Sequence, residues 1–97
     1  MKQRAGYQDF SDEETWSLDV EIAKFIAPRL RRYREVSKCH PAHMKPSEWR
    51  KVLDKMIRGF DLIVKENAEY NRLTKREHRQ VAQGLDAFRE HYRRLWW

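Results

Sequence analysis

Three groups of side chains in this chain could do chemistry. The first is Cys39 with His40 and His43. A thiol and two imidazoles at this spacing could contribute to a zinc site with a fourth ligand, or form a thiolate–imidazole nucleophile. Pro41 lies between the histidines and prevents them from sharing a helix face. Nothing in the sequence orients the thiol against an imidazole, so an ordinary polar loop is the stronger reading. Carboxylates are grouped at Asp12, Glu13 and Glu14, where the start of a helix accounts for them. No glycine-rich segment follows a strand, so no phosphate loop is present. The residues therefore predict no catalysis, no metal and no cofactor.

The second group is basic and aromatic. Arg29, Arg31, Arg32, Arg34 and Lys38 cluster in one stretch; Arg89, Tyr92, Arg93, Arg94, Trp96 and Trp97 cluster in another. Guanidinium groups bind phosphate with bidentate geometry, and aromatic rings stack on bases. Such a set suits an anionic nucleotide, most naturally held between subunits. The third group is Asp19 with Lys24. Asp19 falls within an apolar stripe, where a buried carboxylate needs a cationic or N–H partner. It is either half of a structural ion pair or a group that orients a ligand. The candidate ligand-binding residues are thus Arg29, Arg32, Arg89, Tyr92, Arg93, Trp96, Trp97, Asp19 and Lys24. Trp16 and Trp49 are expected in the core. At least one of Trp96 and Trp97 is expected at a subunit or ligand interface.

Composition sets the frame for these groups. The chain has 97 residues with 21 Lys+Arg against 15 Asp+Glu, a net charge of +6. A basic balance of this kind favours nucleic acid, nucleotides, phosphates or acidic protein surfaces, and it excludes a mimic of DNA, which needs excess carboxylate. A domain this small buries only about 60–65% of its unfolded surface. The four Trp, four Tyr and four Phe must therefore fill much of a thin core. Mean hydropathy is −1.01, yet the apolar residues are too regularly spaced for a disordered chain. A lone cysteine permits no internal disulfide and suits a reducing cytoplasm. No apolar run approaches the length of a membrane span, and no signal peptide is read at the N-terminus.

The elements that must position these groups are helices. Residues 1–10 read as an N-terminal arm, interrupted by Gly6, with Tyr7 and Phe10 available to pin it. Residues 11–97 read as one all-α domain, a compact three-helix bundle that is expected to be oligomeric. Helix 1 is expected over 11–36. Ser11 and Glu14 form a capping box, and Trp16, Val20, Ala23, Ile26, Leu30 and Tyr33 form its stripe, widened by Ile22 and Phe25. Pro28 predicts a kink. Prolines 41 and 46 mark a connector over 37–46. Helix 2 is expected over 47–68 on the strongest periodic signal, Trp49, Val52, Leu53, Met56, Ile57, Phe60, Ile63 and Val64. Gly59 inside it implies a close approach by another helix. Helix 3 is expected over 74–97 behind a second capping box, Thr74 and Glu77, with the stripe Val81, Leu85, Phe88, Tyr92 and Leu95.

Three helices and a basic balance also fit a helix-turn-helix reader of DNA. The linker over 67–73 is longer than the usual turn and lacks its glycine, and the basic residues of helix 3 are spread around its surface. Base-reading side chains are limited to Gln80 and Gln83.

Three segments carry a family likeness. They are Trp16-Ser17-Leu18-Asp19 through Ile22-Ala23-Lys24; Glu48-Trp49 through Leu53-Asp54-Lys55-Met56-Ile57 with Gly59-Phe60; and Gly84-Leu85 with Phe88 and the Leu95-Trp96-Trp97 end. Together they resemble a group of small uncharacterised proteins of tailed phages and prophages. The resemblance implies a viral protein acting in a bacterial cytoplasm, where small phage proteins often counter host defences. It transfers no activity to particular residues. Three functions stay open: sequestration of an anionic nucleotide signal by a homo-oligomer, nucleic-acid binding as a phage regulator, and direct inhibition of a host protein. None involves a membrane.

Overall fold

The computed structural model describes residues 9–69 and 72–96. The expected arm therefore lies outside the described residues up to position 8, as does Trp97. The elements run as a short 3-10 turn at Asp12–Thr15, α1 at Leu18–Val36, α2 at Pro46–Glu69, α3 at Lys75–His91, and a second 3-10 turn at Tyr92–Arg94. The all-helical expectation holds; α2 falls close to its expected bounds, whereas α1 starts later than residue 11 and α3 ends at His91 and not at 97.

Helix 1 starts later than expected. Ser11 and Glu14 do interact: the Glu14 carboxylate accepts the Ser11 backbone N–H at 2.7 Å and its hydroxyl at 3.2 Å. They close only the 3-10 turn. The backbone leaves helical geometry at Ser17, with φ −123° and ψ 63°. The Ser17 carbonyl then receives the Val20 and Glu21 N–H groups, both at 3.0 Å, and α1 begins. Trp16 sits on this break, 78% exposed, and not in the core. Asp19 is likewise exposed and not inside an apolar stripe. One helix then runs through Pro28 to Val36. Its buried face is Val20, Ala23, Ala27 and Leu30, two of them small enough to let α2 come close. Ile22 and Phe25 do not widen that face; both are exposed.

α2 is the central element. It packs on both α1 and α3, whose backbones make no close approach to each other among the described residues. The molecule is correspondingly flat, 49 × 34 × 20 Å. Trp49, Leu53, Met56 and Phe60 form the middle of the core with Ala23, Ala27 and Leu30 of α1. Leu62 is buried as well. α1 is tied to α2 by ion pairs of Arg31 with Asp61 and of Arg34 with Asp54, the latter at 2.6 Å.

The α2–α3 crossing explains both mid-helix glycines. A Cβ built on Gly59 would lie 3.0 Å from the Gly84 Cα, and one on Gly84 would lie 2.5 Å from the Lys55 carbonyl oxygen. The two backbones therefore meet without side chains between them. This draws Gly84 inward and turns Leu85 and Tyr92, expected on the stripe, out to solvent. Ala87 and Phe88 face the core instead. Phe88 packs edge-on against Phe60 at 5.1 Å between ring centroids, a favoured aromatic geometry. The Thr74 capping box is complete: Glu77 N–H donates to the Thr74 hydroxyl at 3.1 Å, and Thr74 N–H to the Glu77 carboxylate at 2.9 Å. The Thr74 N–H bond holds the Glu77 carboxyl below its usual pKa against the cost of desolvation, with the Lys65 ammonium adding to it.

Candidate functional site: a basic cleft at one end of the helical layer

Three helices joined by short connections alternate in direction. The C-terminus of α1, the N-terminus of α2 and the C-terminus of α3 therefore share one end of the molecule. Between the connector over 37–45 and the C-terminal tail lies a cleft of about 510 Å³, lined by Lys38, Cys39, His40, Pro41, Ala42, His43, Arg94 and Trp96.

The connector is ordered by local hydrogen bonds, each traceable to the sequence. Ser37 leaves α1 in an extended conformation while its N–H still reaches the Tyr33 carbonyl at 2.9 Å. Its hydroxyl accepts the Cys39 N–H at 3.2 Å. The His40 ring Nδ1 lies 3.0 Å from the Pro41 carbonyl oxygen and serves as its donor. That same carbonyl accepts the Met44 N–H at 3.0 Å and closes a turn. Glu48 reaches back to the Lys45 N–H at 2.8 Å, which caps α2. The prolines thus fix the loop, and the histidines are left on its surface.

The opposite wall is the tail after α3. His91 is buried and packs edge-on against Trp49, with 5.5 Å between ring centroids. Burial holds the His91 pKa below its ordinary value; the Glu90 carboxylate opposes this, and Arg94 and His43 add to it. The neutral ring can then accept at Nδ1, and the Arg94 guanidinium donates there at 3.2 Å and to the Glu90 carbonyl at 3.1 Å. The guanidinium is fixed from behind. Across the gap, the Tyr33 hydroxyl donates to the carbonyl oxygens of Trp96 at 3.2 Å and Arg94 at 3.4 Å. The Trp96 ring is 70% exposed.

The cleft therefore brings together an ammonium, a guanidinium, two imidazoles and an open indole, and among the described residues no carboxylate lines it. A smaller cavity of about 200 Å³ adjoins it, sharing Lys38, Cys39 and His40 and adding Arg34, Arg50 and Trp49. The Trp49 Nε1–H is buried with no acceptor among the described residues. Such a set can hold anionic oxygens by charge-assisted hydrogen bonds and a flat ring by stacking. Among the described residues no three His, Cys, Asp or Glu side chains come together as a metal site would require. Cys39 is an exposed free thiol.

Most of the residues expected to bind a ligand stand elsewhere. Arg29 folds over the Phe25 ring, 3.7 Å from its centroid, and donates to the Phe25 carbonyl at 2.8 Å. Arg32 pairs with Glu35 at 3.5 Å and Lys24 with Glu21 at 3.9 Å, all on the exposed surface of α1. Asp19 lines a shallow depression with Ser17, Glu66 and Asn67. Arg89 and Arg93 are exposed, and Tyr92 leans edge-on against Phe88. Of that set only Trp96 lines the cleft; Trp97 lies outside the described residues. Lys38, His40, His43 and Arg94 are visible in the sequence, where the histidines point to metal and thiol chemistry and not to an anion site. The alternating directions of three short-linked helices, which put this loop beside the tail, were the available signal.

Among the described residues no helix is long and apolar enough to cross a membrane. No family model matches the chain, and neither a curated protein nor a solved structure matches it.

Proposed function

We propose that this protein is a non-catalytic binder of a small anionic ligand that carries an aromatic ring, a nucleotide by chemical class, and that the ligand occupies the cleft between the connector and the tail. The observation that carries the reading is the composition of that cleft: Lys38, His40, His43 and Arg94 beside the exposed ring of Trp96, with no carboxylate among the lining residues. In this arrangement Arg94 and Lys38 take the phosphate oxygens and Trp96 stacks on the base. A kink at Pro28, which lacks the N–H that would bond the Lys24 carbonyl, would set the angle at which Tyr33 meets the tail and Lys38 reaches the cleft.

The likeness to tailed-phage proteins supplies a setting for the reading. It is sequestration of a nucleotide immune signal in a bacterial cytoplasm as a counter-defence. Binding of a host protein or of nucleic acid would use the same basic surface. The cleft favours the small ligand, because its indole and guanidinium converge on one volume and do not spread along a groove.

The test is calorimetry and tryptophan fluorescence against cyclic di- and trinucleotides and ADP-ribose derivatives. Saturable binding is expected. Arg94→Ala and Trp96→Ala should each weaken it by about 10- to 100-fold, the loss of one charge-assisted hydrogen bond or one stacked base. No binding to any of these probes overturns the reading. Affinity for long nucleic acid alone, falling steeply with salt, would move the function to nucleic-acid binding.

A further inference from the structure

α1 carries two apolar faces. Val20, Ala23, Ala27 and Leu30 face α2. Leu18, Ile22 and Phe25 follow at spacings of four and three on the opposite side, and they are 53%, 50% and 57% exposed. That spacing is the seam of a helix pair. Among the described residues α2 is the only long helix packed on α1, so no other described helix covers the seam. Large apolar side chains gathered in one exposed patch mark an interaction surface.

The charges along this face say what fits it. Glu14 and Glu21 line the groove toward its N-terminal end, together with Lys24, which lies 3.9 Å from the Glu21 carboxylate and offsets part of that charge. Toward the C-terminal end come Arg29, whose guanidinium already lies on the Phe25 ring, and Arg32. A helix laid parallel would place acid on acid and base on base. Laid antiparallel, the acidic end of one helix meets the basic end of the other. A second copy of this chain supplies both the matching seam and the reversed polarity, because a two-fold axis makes a surface of this kind complementary to itself. We propose that the outer face of α1 is a self-association surface, on which a second copy of the chain packs with its α1 antiparallel. Arg29, Arg32 and Lys24 then act at the edge of an interface and not on a nucleotide.

Analytical ultracentrifugation and native mass spectrometry of the full chain test this. The expected result is a dimer. It should be weakened about 100-fold or more by Ile22→Asp or Phe25→Asp, since each buries a charge against apolar surface. Thermal stability of the isolated subunit should be unchanged, because both side chains are exposed in it. Glu14→Arg with Glu21→Arg, and separately Arg29→Glu with Arg32→Glu, should each yield monomers, and mixing the two variants should restore dimers. A wild-type chain that stays monomeric at all concentrations overturns the proposal. So does a dimer indifferent to Ile22→Asp and Phe25→Asp. If only a chain lacking residues 1–8 dimerises, the face belongs to the N-terminal residues in the full chain and the proposal fails. Nucleotide binding at the cleft should survive Ile22→Asp, so the two readings stand or fall separately.

Discussion

His91 holds Arg94 in place, and it can do so only while its Nδ1 is unprotonated. In the unfolded chain the imidazole takes its proton near pH 6.5; in the folded chain burial keeps its pKa lower. The unfolded chain therefore binds more protons as the solution is acidified. The contribution of the neutral ring is fully present above about pH 6.5 and is lost as pH falls through the lower folded value. Thermal melts between about pH 7 and pH 5 should show the wild type losing stability more steeply than His91→Gln, which keeps an acceptor but cannot titrate. Equal slopes would show that His91 does not control the tail. Single side chains were the hardest feature to read from sequence. Trp49 and Trp16 look alike in the apolar pattern, yet one is 3% exposed and the other 78%. What separates them is the backbone break at Ser17, one residue after Trp16. Its hydroxyl makes no cap bond, so no motif announces it.

At the scale of elements, the α2–α3 crossing makes a prediction whose sign is diagnostic. Gly→Ala in an exposed helix interior is expected to stabilise by about 1 kcal/mol. Here the new methyl of Gly84→Ala would meet the Lys55 carbonyl oxygen and the Gly59 Cα. Gly84→Ala should therefore destabilise by about 1–3 kcal/mol or more, the cost of overpacking. Gly59→Ala, whose nearest neighbour is 3.0 Å away, should cost less. Urea unfolding of both variants checks the order. Thr74→Ala removes half of a complete capping box and should cost about 1 kcal/mol. The positions of α2 and α3 and the reason for Gly59 were legible in sequence, because periodicity and caps are local signals. The late start of α1 was not, since Ser11 and Glu14 close the same box on a 3-10 turn as on an α-helix. The end of α3 was not either. After His91 the tail is held by the Tyr33 hydroxyl, which is 61 residues away in sequence from Arg94.

At the scale of the whole molecule, the basic and aromatic residues singled out in the sequence gather toward one end but leave on different faces. Basic residues at the end of α1 and aromatic residues at the chain terminus do lie near one another. However, a helix rotates 100° per residue, so Arg29 and Arg32 leave on the side away from the core while Tyr33 reaches the tail. Only a three-dimensional arrangement sorts Trp96 from Arg93. Among the described residues, the flat layer built around α2 also leaves the outer side of α1 without a helix packed on it. The two proposed surfaces, the cleft and the outer face of α1, share no lining residue. Phe25→Asp should weaken self-association and leave nucleotide titrations unchanged, whereas Trp96→Ala should weaken nucleotide binding and leave self-association unchanged.

The Tyr33 hydroxyl has a consequence for kinetics. One wall of the cleft is a loop held by its own hydrogen bonds; the other is a tail held to α1 through the hydroxyl of Tyr33. Releasing that hydroxyl would loosen the tail, which Arg94 and the packed side chain of Leu95 still tie to the body. The tail then behaves as a latch with its own opening equilibrium, shallower than global unfolding. A ligand lying against Trp96 would keep the latch shut, and its residence time would follow how often the latch opens. Amide exchange at Leu95 and Trp96 would slow on binding while exchange in the middle of α2 stayed the same. Tyr33→Phe would speed both tail exchange and ligand release, in equal proportion.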